Sequence, residues 1–190
     1  MGKVLWAKLG SLRRSQTREP GVRRAIDPWY RAPPCYGAPM RIAVASDHAG
    51  FPLKQAVLEW LRELGHEPVD MGVAGTDPVD YPDVIAPAAR AVASGQVERA
   101  IVLGGSGTGE AIVANKVRGI RCVEASDPVV ARLGREHNDA NVLSMGARIV
   151  GGAIARACVE AFLEGGFEGG RHVARIEKIS RLEEQEAERR

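Results

Sequence analysis

The 190-residue chain is predicted to be an α/β protein, in which a single sheet of five parallel strands is wound by helices on both faces. Two observations lead to this prediction. From Met40 onward, short β-branched runs alternate with stretches whose apolar residues recur at helical spacing. No hairpin signal joins any two of these runs, so crossover helices must connect the strands, which makes the strands parallel.

The first three strands and their two helices follow from this apolar periodicity. A proline suits the first turn of a helix and a glycine suits its end, so Pro52 and Gly65 bound the first helix. In order, the sequence predicts a strand over 41–45, a helix over 52–64, a strand over 68–71, a helix over 84–92 and a strand over 100–103.

The second half repeats the alternation after a glycine-rich loop. The sequence predicts a helix to about residue 117, a strand over 120–124, a helix over 128–136, a strand over 141–145, a helix over 154–164 and a charged C-terminal helix from about residue 171. This order predicts a Rossmann-like or flavodoxin-like doubly wound sheet. Ligands of such sheets bind at the carboxyl ends of the strands, where the strand order reverses.

Charge divides the chain into three parts. Residues 1–39 carry eight Lys and Arg against two acids, a net charge of +6, and five prolines interrupt them. We expect a disordered extension or an upstream start ahead of Met40, with a transit peptide or polyanion-binding segment as the alternatives. Residues 40–179 form the predicted domain, and 180–190 form a charged C-terminal tail.

The domain and tail together carry a net charge of −4, because the whole chain carries +2. This mildly acidic balance gives no reason to expect nucleic acid or a membrane as a partner. No stretch approaches the roughly 20 apolar residues that cross a bilayer. The three cysteines, Cys35, Cys122 and Cys158, form no C-x-x-C pair, which argues against a disulfide frame or a zinc site and favours a reducing cytoplasm.

The loop over 104–110, Gly-Gly-Ser-Gly-Thr-Gly-Glu, is the strongest functional signal. A buried strand that breaks into four glycines and restarts as a helix leaves backbone N–H groups free to bind an anion. Glu110 stands at the edge of this cradle, where a carboxylate could remove a proton next to a carbonyl while the amides stabilise the oxyanion. A simple tight turn and a nucleotide loop are the alternatives, although neither nucleotide-binding fingerprint is matched.

Two other segments are predicted to meet this cradle in one crevice. They are the loop after the first strand, 46–50, and the pair His137–Asn138 just before the fifth strand. His66, in the turn after Gly65, is instead expected to be a solvated surface group.

Beyond these patterns, the sequence resembles a known family. The matching motifs, in order, are SDHAG at 46–50, VDYPD at 79–83, GGSGTGE at 104–110, ANK at 114–116, REHNDANVL at 135–143, GAR at 146–148 and GGRH at 169–172. Together they resemble the ribose-5-phosphate isomerase type B family, which also includes the galactose-6-phosphate isomerase subunits. The resemblance spans 40–179.

The resemblance implies reversible aldose–ketose isomerisation of a phosphorylated sugar through ring opening and a cis-enediolate, with no metal and no organic cofactor. It assigns ring opening to His137 and proton transfer to Glu110 and Ser106. The remaining implied contacts are Asp47, His48 and Asn138 for the sugar, and Arg148, Arg171, Arg175 and the adjacent His172 for the phosphate. The cradle residues Gly105, Gly107, Thr108 and Gly109 are also expected to bind the sugar, as is Tyr81, for which packing as a rim aromatic is the alternative.

In one branch of the family the position of Gly104 is a cysteine that serves as the base, and the loop ends in an apolar residue. Here Glu110 ends the loop, as in the other branch, so we assign the base to Glu110. The helix N-terminus favours its carboxylate and desolvation favours its acid form, and the sequence leaves the balance open.

The resemblance also implies a homodimer, or a dimer of dimers, whose C-terminal helix reaches across so that Arg171 and Arg175 serve the neighbouring subunit's site. Ribose 5-phosphate with ribulose 5-phosphate is the expected substrate pair. Galactose 6-phosphate, allose 6-phosphate and four-carbon phosphates remain alternatives, as does a non-catalytic sugar-phosphate sensor.

Overall fold

The computed structural model describes residues 38–189, so all but the last two residues of the predicted basic extension 1–39 lie outside it. Its strands are β1 (Arg41–Ser46), β2 (Glu67–Asp70), β3 (Arg99–Gly104), β4 (Cys122–Glu124) and β5 (Val142–Gly146). Its helices are α1 (Phe51–Glu63), α2 (Tyr81–Ala93), α3 (Thr108–Ala114), α4 (Pro128–Asn138), α5 (Gly152–Glu164) and α6 (Val173–Glu188). A 3₁₀ turn, Gly170–His172, leads into α6.

All five strands are parallel and lie in the order β2-β1-β3-β5-β4, which confirms the predicted fold class. The order reverses between β1 and β3, since β2 lies on one side of β1 and every later strand on the other. The loop after β1 and the glycine loop after β3 therefore flank the reversal, where open α/β sheets bind their ligands.

A hydrophobic layer covers each face of the sheet. On one face, Ile42 and Val44 of β1 pack with residues of α1, α4 and α5, including the fully buried Phe162. On the other face, Ala43 and Ala45 pack with residues of α2 and α3. Alternate residues of a strand face opposite sides, so one β-strand supplies both layers.

The edge strand β4 is shorter than the predicted strand, and α3 ends before the predicted residue 117. Both differences trace to Asn115. Its amide donates to the Cys122 carbonyl at 2.9 Å, and its oxygen accepts from the Cys122 N–H at 2.8 Å. A side chain that satisfies strand backbone groups competes with helix continuation, and here it also caps the exposed sheet edge.

Helix α6 continues unbroken to Glu188, so residues 180–188 of the predicted charged tail are helical. The Glu183 carboxylate accepts from the Gly119 N–H at 3.1 Å. Ile179 and Leu182 line a cavity of about 590 Å³ with Ile120 and Val123.

The prediction for His66 is wrong. Only 6% of this residue is exposed, and its Nδ1 accepts from the Met40 N–H at 3.3 Å. The turn after Gly65 folds back under the start of β1, so the ring is covered, and desolvation lowers its pKa. Among residues 38–189, no helix is both long and apolar enough to cross a membrane.

Candidate active site

The glycine loop forms the predicted turn from β3 into α3. Gly107, with φ of 83°, lies in the left-handed region and caps α3. A Cβ at this residue would lie 2.8 Å from the Met145 carbonyl carbon, so both the backbone angle and the space demand glycine. The Ser144 hydroxyl donates to the Gly107 carbonyl at 2.6 Å and fixes the turn on β5.

Glu110, in the first turn of α3, is only 3% exposed. Its carboxyl group lies directly against Gly104, in the space that any side chain at residue 104 would occupy. Its Oε2 is buried and has no hydrogen-bond partner among the described residues. Buried polar atoms without a partner are rare in folded proteins, so this carboxyl group is a candidate for a functional role.

The sequence leaves open whether the carboxylate or the acid form of Glu110 is favoured, and the surroundings of the side chain favour the acid form. Burial is the largest influence and raises the pKa of the Glu110 carboxyl group. The nearby negative charge of Asp47 acts in the same direction, whereas backbone hydrogen bonds at Glu110 and Gly107 oppose it. The acid form is therefore stabilised relative to an ordinary glutamate, which suits a group that must accept a proton and later return it.

The loop after β1 lies beside the glycine loop. Asp47, only 7% exposed, accepts the Gly50 N–H at 2.9 Å. His48 accepts the Val79 N–H at 3.4 Å and so links this loop to the segment before α2. That segment delivers Tyr81, whose ring lies against Gly109.

A cavity of about 490 Å³ adjoins the glycine loop. It is lined by Tyr81, Gly105, Ser106, Thr108, Gly109, Glu110, Arg148 and Ile149. The Ser106 and Thr108 hydroxyls lie 2.7 Å apart, and the Arg148 N–H donates to the Gly105 carbonyl at 3.1 Å. We call this cavity, together with Asp47 and His48, the cradle half-site.

His137 and Asn138 do not join the cradle half-site, so the prediction of one crevice within the subunit is wrong. Helix α4 leaves the carboxyl end of β4, runs back along the sheet and ends at Asn138, at the amino end of β5. A residue that precedes a parallel strand lies at the amino edge. The five residues of β5 separate the edges by about 17 Å.

At this amino edge His137 contacts residues that follow α5 in the chain. Its ring stacks on that of His172, with centroids 4.4 Å apart and planes 8° apart. The Glu168 carboxylate lies 3.7 Å from His137 Nε2 and 3.8 Å from His172 Nε2. We call the group formed by His137, Asn138, Glu168, Arg171, His172 and Arg175 the histidine half-site.

The charge of the histidine half-site favours an anion. Arg171 and Arg175 are exposed, and the Arg171 Nε donates to His172 Nε2 at 3.4 Å. Desolvation is the largest influence on the buried His172 and lowers its pKa; His137, Arg171 and Arg175 lower it further, against Glu168. A neutral imidazole beside two guanidinium groups can help to bind a phosphate without taking up a proton.

The ligand atoms of His137, Glu168 and His172 all lie within 4.8 Å of one another, which raises the question of a metal ion. The lone pair of an imidazole nitrogen lies in the plane of the ring. Two nearly parallel planes that are stacked on each other do not converge on a common point. As arranged, the three groups therefore suit hydrogen bonding and an anion better than tetrahedral metal coordination.

Two residues of this region received no role from the sequence. Glu168 contacts both histidines, but it lies between the matched motifs, where nothing in the pattern singles it out. Asp139 is part of the REHNDANVL motif, but a sequence motif does not indicate the backbone conformation of its residues. It is the only residue other than glycine with positive φ in the described part of the chain, at 45°.

Comparisons with known proteins agree with this architecture. Residues 42–179 match the model of the Ribose/Galactose Isomerase family. The chain is similar to ribose-5-phosphate isomerase B of Escherichia coli, with 44% identity over 76% of this chain and 97% of the relative.

Two solved structures are also similar. Ribose-5-phosphate isomerase B of Clostridium thermocellum has a TM-score of 0.76 and 44% identity, and the match covers 77% of this chain and 99% of that one. The Mycoplasma genitalium enzyme, solved with bound ribulose-5-phosphate, has a TM-score of 0.73 and 37% identity, over 76% of this chain and 96% of that one.

Proposed function

The chain belongs to the ribose/galactose isomerase family, and from that premise we propose that it interconverts ribose 5-phosphate and ribulose 5-phosphate. One observation carries the proposal. Glu110, whose buried carboxyl group has one oxygen unpartnered among the described residues, lines the same cavity as the glycine loop. A base beside a row of amides is what an enediolate intermediate requires.

In this reaction Glu110 removes the proton from C2 of the open-chain aldose. The C–H electron pair forms the C1–C2 double bond, and the carbonyl π electrons move to O1, where the loop amides and the helix N-terminus stabilise the charge. Ser106, exposed in the cavity and hydrogen-bonded to Thr108, moves a proton between O1 and O2. Glu110 then returns its proton to C1, which yields the ketose.

We further propose that the active unit is a homodimer in which each site combines two subunits. The cradle half-site of one subunit contains Glu110 and Arg148, and its one histidine, His48, already accepts the Val79 N–H. The histidine half-site lies at the opposite edge of the same sheet and holds exposed anion-binding groups. In the proposed dimer, His137 opens the ring, and Asn138, Arg171, His172 and Arg175 bind substrate in the neighbouring cradle.

The decisive test of the activity is a direct assay with isotope exchange. The purified full chain should convert ribose 5-phosphate to ribulose 5-phosphate and should incorporate solvent deuterium at the carbon that is reprotonated. Glu110→Gln should bind the sugar phosphate and lose both signals. Binding without exchange in the unmodified chain would instead identify a non-catalytic sensor.

Subunit mixing tests the shared site. A Glu110→Gln variant and a His137→Ala/Arg171→Ala variant are each weakly active alone, and exchange of subunits pairs one intact cradle with one intact histidine half-site. Half the dimers are then mixed, and each has one complete site, so about a quarter of the unmodified activity should return. Recovery no greater than the average of the two variants contradicts a shared site.

Substrate choice within the family is tested by comparing kcat/KM for ribose 5-phosphate, galactose 6-phosphate, allose 6-phosphate and erythrose 4-phosphate. We expect ribose 5-phosphate to be preferred, in keeping with the names of the relatives above. We also propose a cytoplasmic location, because Cys122 and Cys158 are free thiols, as a reducing compartment would keep them.

A further inference from the structure

The end of helix α4 is held by an arrangement that the proposed reaction does not yet explain. Asp139, directly after Asn138, adopts φ of 45° and ψ of 44°. Left-handed backbone is uncommon for a residue with a side chain, although aspartate tolerates it better than most. Two arginines from different elements hold this residue.

Each oxygen of the Asp139 carboxylate receives a different guanidinium group. Arg135, one turn earlier in α4, donates to Oδ1 at 2.8 Å, and Arg121, before β4, donates to Oδ2 at 2.8 Å. The side chain of Arg135 is only 10% exposed and that of Arg121 23% exposed, whereas that of Asp139 is 36% exposed, so solvent reaches the carboxylate more than the two guanidinium groups. Charge-assisted bonds of this kind are the strongest that side chains form.

The same guanidinium groups bind the backbone around the turn. Arg121 Nε donates to the carbonyls of Asn138 and Asp139 at 2.9 and 3.0 Å. Arg135 donates to the Ala140 carbonyl at 2.5 Å. Three consecutive carbonyl groups, from 138 to 140, are therefore fixed in direction.

We infer that Asp139, Arg121 and Arg135 form a positioning clamp that sets the place of His137 and Asn138 in the histidine half-site. The clamp touches neither substrate nor reacting atoms. It acts through the backbone, because His137 lies two residues before the left-handed turn. Without the clamp the last turn of α4 can unwind, and the His137 ring loses its fixed orientation on His172. The catalytic part of this inference rests on the proposed function.

The test uses three variants of the full chain. Asp139→Asn keeps the size and the left-handed tolerance of the residue but removes the charge that both arginines bind. Asp139→Gly removes the side chain and makes left-handed backbone easier. Asp127→Asn is the matched control, because Asp127 caps the other end of the same helix by accepting the Val129 N–H at 2.7 Å.

Two activities separate positioning from general damage. Net conversion of ribose 5-phosphate needs ring opening, whereas exchange of the C1 hydrogen of ribulose 5-phosphate with solvent deuterium starts from an open chain and does not need that step. We expect Asp139→Asn and Asp139→Gly to reduce net conversion about tenfold, as misplacement of a catalytic group does, and to reduce C1 exchange less than about twofold. Asp127→Asn should reduce both equally or neither.

Backbone hydrogen exchange provides a readout that does not need activity. The amides of residues 138–140 should exchange about tenfold faster in both Asp139 variants and should be unchanged in Asp127→Asn. An Asp139→Gly variant with unmodified conversion and unmodified amide exchange would overturn the clamp, because the backbone angle alone would then suffice. If the unmodified chain converts no ribose 5-phosphate, the proposed function fails, while amide exchange still decides whether the clamp exists.

Discussion

The two half-sites at opposite edges of the sheet are built in different ways. The cradle half-site is made mainly of two backbone loops, 46–50 and 104–110, which contain the buried carboxyl groups of Asp47 and Glu110, with Tyr81, Arg148 and Ile149 completing its lining. The histidine half-site is made of side chains at the end of α4 and the start of α6, several of them exposed. The difference indicates that the proton transfer proposed for Glu110 depends on a fixed backbone, whereas the roles proposed for the histidine half-site depend on side chains, which in the proposed dimer a second subunit presents.

The largest difference between the two half-sites should appear when the carboxylate of Glu110 is removed. Glu110→Gln keeps the shape of the cradle, so sugar-phosphate binding should survive, while kcat should fall roughly 10²- to 10⁴-fold, the usual contribution of a positioned base. Steady-state kinetics and ligand titration of the variant check this. Near-normal kcat would remove Glu110 from the mechanism.

A nearly equal effect is expected without touching the base. In Gly104→Ala the new methyl group would overlap the Glu110 carboxyl group, which must then leave its place. We expect kcat to fall about 10²-fold, the cost of misplacing a reacting group by about 1 Å. Gly166→Ala is the control, because nothing lies near a Cβ at that residue and its φ is not positive. Equal activities of the two variants would contradict the packing of Glu110 against Gly104.

The histidine half-site should give a smaller and more selective loss. His137→Ala should slow conversion of cyclic ribose 5-phosphate at least tenfold, within the range of acid–base contributions, and should affect open-chain ribulose 5-phosphate less. Initial rates with each substrate measure the difference. Equal losses on both would argue against ring opening as the role of His137.

The smallest effect concerns stability. Because burial raises the pKa of Glu110 above its unfolded value, the stabilising contribution of its acid form is present at low pH and is lost as pH rises through the folded pKa. Glu110→Gln should therefore have a higher Tm than the unmodified chain at neutral pH, and the gap should close below the unfolded pKa of about 4.5. A scan of Tm against pH for both proteins checks the sign.

The sequence predicts what depends on local pattern. Apolar periodicity located every strand and helix within a few residues, and the glycines of 104–109 identified the turn from β3 into α3. Proline and glycine at helix ends also marked α1 correctly. These features are determined by backbone sterics and by the pattern of apolar residues. Both depend on residues that lie close together in the sequence.

What the sequence did not predict depends on contacts between distant segments. His137 is a different case: it precedes the predicted fifth strand, and the end of a helix that precedes a parallel strand lies at the amino edge, so the alternation of elements already places it there. His66 was expected at the surface because its cover comes from Met40, 26 residues away. The early end of α3 follows from the pairing of Asn115 with Cys122, which no propensity of asparagine alone predicts.

The contact of Glu110 with Gly104 also bears on inhibitor design. Thiol alkylating agents and peroxide inactivate enzymes whose base is an exposed cysteine thiolate, but the corresponding residue here offers only a hydrogen atom. Burial raises the pKa of Cys158 to about 11 and that of Cys122 as well, so neither is a ready nucleophile. An electrophile aimed at the catalytic thiol of the cysteine branch finds no thiol at residue 104, and oxidants that convert such a thiol to sulfenic acid leave the Glu110 carboxyl group unchanged.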